Sequence, residues 1–126
     1  MADAPLKRIV IAEDDPSISS MLSKVLSQFY EVVVTSDGPS ALAVAGQTPP
    51  PDLMLLDVMM PGMDGHAVAA AVRLLPGLKS IPIIFLTAKT GPAEVIKGIQ
   101  SGARHYITKP FKIEDLVLRV KRTLGG

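Results

Sequence analysis

Five polar side chains stand where apolar runs end: Glu13 and Asp14 after "RIVIA", Asp57 at the close of "LMLLD", Thr87 at the close of "IPIIFLT", and Lys109 just after "HYIT". Singly, each has an ordinary explanation. Asp57 suits an Asx turn ahead of the Pro61–Gly62 loop, Thr87 a strand end, and Lys109 a solvated lysine. Asp15, followed by Pro16, suits a helix N-cap with proline at the first helical position. Capping uses one carboxylate, which leaves Glu13 and Asp14 adjacent with no cation near them in sequence. Crowded carboxylates resist ionisation, and a hard divalent cation removes that resistance. Magnesium prefers carboxylate oxygens and completes its shell with water and a phosphate oxygen, so Asp14 and Asp57 suit direct ligands with Glu13 acting through water. Together the set offers a carboxylate nucleophile, a metal site, a hydroxyl donor and an ammonium group. Phosphoryl transfer asks for positioning and charge neutralisation, and a carboxylate can take up the group as an aspartyl phosphate.

These side chains share one rim only if the apolar runs are parallel strands. The runs at 8–13, 31–36, 52–57, 81–87 and 105–108 have the length and β-branched content of strands. Between the first two, Ile18, Met21, Leu22, Val25, Leu26 and Phe29 repeat at the spacing of one helical face. Fainter helical patterns follow each later strand: "GPSALAVAG", "GHAVAAAVRLL", "GPAEVIKGIQSGA" and "KIEDLVLRVKRTL". Strict alternation predicts an α/β domain whose parallel sheet is covered on both faces, because parallel neighbours need crossover connections. In such sheets ligands collect at the carboxyl ends of the strands, where the strand order reverses. "TPPPD" (48–52) reads as a stiff connector within one domain. That domain is expected to span residues 1–126, with 1–6 as an N-terminal tail. The fourth helical pattern carries Gly98 and Gly102 and offers only Val95, Ile96 and Ile99 as large apolar anchors, so that helix is expected to be weakly held.

Composition supports one globular domain: 126 residues, 48% hydrophobic and 20% charged. Thirteen Lys and Arg nearly cancel twelve Asp and Glu for a net charge of +1, which gives no basic field for a nucleic-acid backbone. Direct nucleic-acid binding is therefore not expected. The absence of Cys excludes disulfides, thiolate zinc sites and a cysteine nucleophile. No stretch is apolar enough to insert in a membrane, and "MADAPLKR" lacks the core of a secretion signal, so the expected location is cytoplasmic.

On "IVIAEDD", "LMLLDVMMPGMDG", "IIFLTA", "HYI" and "TKPF" the sequence resembles the receiver domains of two-component response regulators, including the small chemotaxis regulator. The resemblance covers essentially the whole chain. It implies a flavodoxin-like, doubly wound five-stranded sheet in the order 2-1-3-4-5, with five helices. It further implies Asp57 as phosphoacceptor and Glu13, Asp14, Asp57 and the backbone carbonyl of Met59 around magnesium. Thr87 and Lys109 would contact the phosphoryl group, and a cis peptide would join Lys109 to Pro110. A sensor histidine kinase or phosphotransfer protein would be the donor, and the chain would catalyse only its own phosphorylation and dephosphorylation. Thr87 and Tyr106 would act as switch residues, shifting the face made by helix four, strand five and helix five toward a downstream effector or a second receiver.

Rival readings fare worse on the same residues. A flavodoxin needs a Ser/Thr/Gly-rich phosphate loop after strand one, where three acids here would repel FMN phosphate. Phosphohydrolases that form an aspartyl phosphate carry a second Asp two residues after the nucleophile, where this chain has Met59. A pseudo-receiver acting only as a protein-binding module would lose the acceptor, acids or lysine, all of which are present. Arg104 and His105 depart from the acidic residues usual before the strand-five tyrosine in winged-helix transcription factors, which argues against the dimer those proteins form. His105 reads as a surface histidine, and His66 as a helix-start residue. Met59 and Lys89 flank the site.

Overall fold

The computed structural model describes residues 6–88, 96, 100 and 102–125. In chain order these form β1 (Arg8–Ala12), α1 (Pro16–Leu26), β2 (Glu31–Thr35), α2 (Gly38–Ala45), β3 (Leu53–Asp57), α3 (Gly65–Val72), β4 (Ile83–Thr87), β5 (His105–Thr108) and α4 (Ile113–Leu124). All strand pairs are parallel, in the order β2-β1-β3-β4-β5. Each strand falls within its predicted run and is shorter by a residue or two in four of the five cases. The fifth predicted helix is α4, and most of the fourth lies outside the described residues.

Strand alternation sorts the core into two layers. Val10, Ala12, Met54, Leu56, Ile83 and Phe85 face α2 and α3, while Ile9, Ile11, Leu53, Leu55, Ile84 and Leu86 face α1 and α4. Because both faces are covered, the central strands read as unbroken apolar runs, and every residue of β3 and β4 is buried. The layer against α2 and α3 uses small partners, Ala41, Ala45 and Ala69 with Val68 and Val72, so these helices can lie close to the sheet. The other layer is filled by Leu22, Leu26, Leu116 and Val120.

Two apolar expectations change. On α1 the buried row is Leu22 and Leu26 with half-buried Ile18, whereas Met21 and Phe29 are 39% and 41% exposed. The helix ends at Leu26, and Tyr30 fills the core position that the periodicity assigned to Phe29. Ile96, expected as an anchor of the fourth helix, is helical but 53% exposed. Val95, Gly98 and Ile99 lie outside the described residues.

Candidate functional site

The strand order reverses between β1 and β3, so the segment leaving β1 and the end of β3 flank a crevice at the carboxyl edge of the sheet. Glu13 and Asp14 directly follow β1, and Asp57 is the last residue of β3. Asp15 caps α1 as expected: its carboxylate accepts from the Ser17 N–H at 2.9 Å, and Pro16 opens the helix. The Ser17 hydroxyl also donates to this carboxylate, at 2.7 Å, and the two bonds, the hydroxyl's first, hold the Asp15 carboxyl below the usual carboxylate range. The loop after Asp57 turns at Gly62, whose φ of +76° is left-handed. It returns to the strand end at Gly65, where a Cβ would stand 2.5 Å from the Asp57 carbonyl oxygen. Only glycine lets α3 start so close to the acceptor strand.

Glu13, Asp14 and Asp57 each offer a carboxylate oxygen within 4.8 Å of the other two. Glu13 and Asp57 are buried and Asp14 is exposed. The sequence offers these acids no nearby cation, but the fold brings one. Lys109 Nζ stands 2.7 Å from Glu13 Oε1 and 3.3 Å from Asp57 Oδ2, so its closer partner is Glu13. The remaining oxygen of Asp57, Oδ1, accepts from the Met59 N–H at 3.0 Å. The Asp15 N–H donates to Glu13 Oε2 at 3.2 Å.

Burial, followed by the neighbouring Glu13 carboxylate, pushes Asp57 up to about 7. Burial also works against the charge of Lys109, but Glu13 and Asp57 outweigh it, and the ammonium is held above its ordinary value. One lysine thus stabilises two buried acids incompletely.

Thr87 ends β4 fully buried, and its carbonyl accepts the Lys109 N–H at 2.8 Å. This bond continues the β4–β5 ladder beyond the strands and ties two expected site residues together. The expected cis peptide between Lys109 and Pro110 is present. Tyr106 is half-buried, with its ring edge-on to Phe85 at 6.1 Å. On Phe85 also lies the His66 ring, 4.7 Å away. Sequence reasoning placed His66 only at a helix start and missed Phe85. The parallel register supplies the absent signal, because it sets Phe85 opposite Tyr106 on one sheet face. His105 is half-buried, and burial, then Arg119, Arg104 and Arg122, lower its pKa. Lys89 lies outside the described residues.

A doubly wound parallel sheet with a polar crevice at its switch point defines a flavodoxin-like α/β domain. Within that class the match is specific, since the model of the response regulator receiver domain fits residues 9–121. The chain belongs to the response regulator receiver domain family. It is 42% identical over 123 residues to the DNA-binding response regulator MtrA of Mycolicibacterium smegmatis, covering 97% of this chain and 52% of the relative. It is 40% identical over 112 residues to the response regulator PleD of Caulobacter vibrioides, covering 88% and 24%. The chain therefore spans about half the length of the MtrA relative. Among solved structures, the chemotaxis protein CheY4 of Vibrio cholerae matches with a TM-score of 0.87 and 34% identity, over 94% of this chain and 98% of that one. A response regulator from Chloroflexus aurantiacus matches with a TM-score of 0.86 and 36% identity, over 98% and 100%. No helix among the described residues is long and apolar enough to cross a membrane.

Proposed function

We propose that the chain is a phosphorylation-dependent signalling receiver in the cytoplasm, accepting on Asp57 a phosphoryl group from a phosphohistidine of a sensor kinase or phosphotransfer protein. The observation that carries this reading is the junction of Glu13, Asp14 and Asp57 within 4.8 Å with Lys109 reaching two of them. The donor set fits magnesium, because it is all oxygen and it crowds more negative charge than one ammonium offsets. Glu13, Asp14, Asp57 and the Met59 carbonyl would hold the ion. When bound, magnesium supplies neutralisation of the charge on the acceptor and on the phosphoryl oxygens.

The residues of the chain divide the remaining work. Asp57 attacks as the carboxylate, so its proton must leave first, and the Met59 N–H holds Oδ1 while the nucleophile forms. An Asp57 oxygen–phosphorus bond forms as the donor's nitrogen–phosphorus bond breaks, and the departing imidazole keeps the electron pair and takes up a proton. Lys109 stays protonated throughout, and after transfer it pairs with a phosphoryl oxygen in place of ionised Asp57. The Thr87 hydroxyl donates to another phosphoryl oxygen. The new phosphate carries nearly two charges and three acceptors, enough to favour an inward Thr87 and to change the packing of Tyr106 on Phe85. The face around β5 and α4 then shifts toward an effector or a second receiver.

Incubation with a small-molecule phosphodonor and magnesium, followed by intact mass spectrometry, tests this reading. One hydroxylamine-labile phosphate is expected on wild type and none on Asp57→Asn. Equal labelling of both proteins would remove Asp57 as the acceptor.

A further inference from the structure

α3 is pinned to the acceptor strand at its first turn. The Gly65 N–H donates to the Val58 carbonyl at 3.0 Å, and Asp64 caps the helix by accepting from the Ala67 N–H at 2.8 Å. His66 follows Gly65 directly, so its backbone is held against the end of the strand that carries Asp57. Its side chain meets Phe85 ring on ring, with centroids 4.7 Å apart and planes at 51°. Phe85 is fully buried on β4, two residues before Thr87, and Tyr106 meets the same ring edge-on, at 6.1 Å and 64°. His66 and Tyr106 therefore share one neighbour. α3 offers no other ring, since the rest of its buried face is Gly65, Val68, Ala69 and Val72.

We infer that His66 is a positioning residue of the switch, whose ring fixes Phe85 in the placement that supports the present packing of Tyr106 and so favours the resting state. This rests on the reading of Tyr106 as a switch residue and adds to it a side chain outside the phosphoryl site. Tilted and edge-on aromatic contacts are worth a few-fold in an equilibrium beyond the area they bury. Phe85 makes two of them at once, in a close-packed core that leaves little room for intermediate positions. With Phe85 held by His66, Tyr106 can repack only by giving up its edge contact. Without that hold, Phe85 can follow Tyr106, and the gap between the two packings narrows. His66 thereby sets how far a phosphoryl group must move the balance.

The test uses the full chain labelled with fluorotyrosine and read by fluorine NMR. Of the two tyrosines, Tyr106 is the reporter and Tyr30, 7% exposed in the other core layer, is the control. Magnesium with beryllofluoride, an analogue of the phosphoryl group, defines the switched position of the wild-type Tyr106 signal. In the absence of both, His66→Leu, which keeps bulk without a ring, should raise the ratio of switched to resting Tyr106 about fivefold, with Tyr30 unmoved. By linkage it should bind beryllofluoride more tightly, by up to the same factor. His66→Phe, which restores a ring, should match wild type on both measures. A Tyr106 that responds to beryllofluoride in wild type but is indifferent to His66→Leu overturns the inference and leaves the switch reading standing. Equal shifts in the Leu and Phe variants, or a Tyr30 signal that moves along with Tyr106, would reduce His66 to a filler of space and overturn it equally. A wild-type Tyr106 that ignores beryllofluoride removes the switch reading, and this inference with it.

Discussion

The two edges of the sheet treat charge in opposite ways. At the amino edge, charged groups meet complementary oxygens and donors. The Arg8 N–H donates to Asp52 at 2.8 Å, and its guanidinium faces Glu31 at 3.5 Å. Arg73, at the end of α3, donates to the carbonyls of Lys79, Ile81 and Gly102 at 3.1–3.2 Å. It thereby fastens the approaches to β4 and β5 to the helix between them and β3. At the carboxyl edge three carboxylates crowd together and one lysine reaches two of them. The first edge closes the fold, and the second gathers negative charge that Lys109 offsets only in part. Departures from electrostatic consistency of this kind mark the place where a domain does its work.

The sharpest way to break the contrast is at the amino edge. Arg73→Ala removes a charged donor from three carbonyls, one of them at the entry to β4, and should cost roughly 3 kcal/mol of stability in urea unfolding. Arg73→Lys should recover part of that, since one ammonium cannot reproduce the planar fork. Magnesium affinity of either variant, measured by calorimetry on the folded protein, should match wild type. A loss of affinity would mean that the two edges are not separate.

At the carboxyl edge the same kind of deletion should have the opposite sign. Asp57 has a folded pKa of about 7 against an ordinary 3.8, so the folded chain binds this proton more tightly than the unfolded one. Its contribution to stability is present below the unfolded value and is lost as pH rises through the folded one, with most of the decline between pH 4 and 7. Asp57→Asn cannot ionise and escapes that decline. In metal-free buffer at pH 8 it should therefore be more stable than wild type, by on the order of 2 kcal/mol, while at pH 4 the two should nearly coincide. Chemical denaturation across that range checks the sign, and a variant less stable than wild type at pH 8 would show that the Lys109 pairing outweighs the crowding.

The carboxyl edge was far more legible in the sequence than the amino edge. Glu13, Asp14, Asp57, Thr87 and Lys109 announce themselves because polar residues end apolar runs, and strand alternation alone puts those ends on one rim. The pairing of Lys109 with Glu13 was not legible, because 96 positions separate them and only the closed sheet makes them neighbours. Arg73 gave no signal at all, since its partners are backbone carbonyls, which no side-chain pattern encodes. Phe29 fits the helical period of α1 yet lies outward, because periodicity gives the angle around an axis and cannot show where the helix ends, and Met21, within the helix, sits at the outer margin of the apolar stripe. The aromatic contact of Phe85 with Tyr106 waited on the register of β4 and β5.

A smaller effect sharpens the comparison without any substitution. If the carboxyl edge is short of positive charge, magnesium should stabilise the whole domain by linkage, about 1.4 kcal/mol at ten times its dissociation constant. Scanning calorimetry should show this as a rise in Tm that calcium-free chelation reverses. Protons and the metal compete for Asp57, so at a fixed magnesium concentration the rise should grow from pH 6 to pH 8 as the carboxylate ionises without the ion. Asp14→Asn, which alters an exposed acid and leaves the buried Glu13–Lys109–Asp57 contacts in place, should weaken the rise while barely changing metal-free stability. Arg73→Ala should keep the full rise from its lower starting point. That pairing separates the two edges, because one variant weakens the ligand response and keeps the fold's stability, and the other does the reverse. Equal responses in all three proteins would place the magnesium effect somewhere other than the acid cluster.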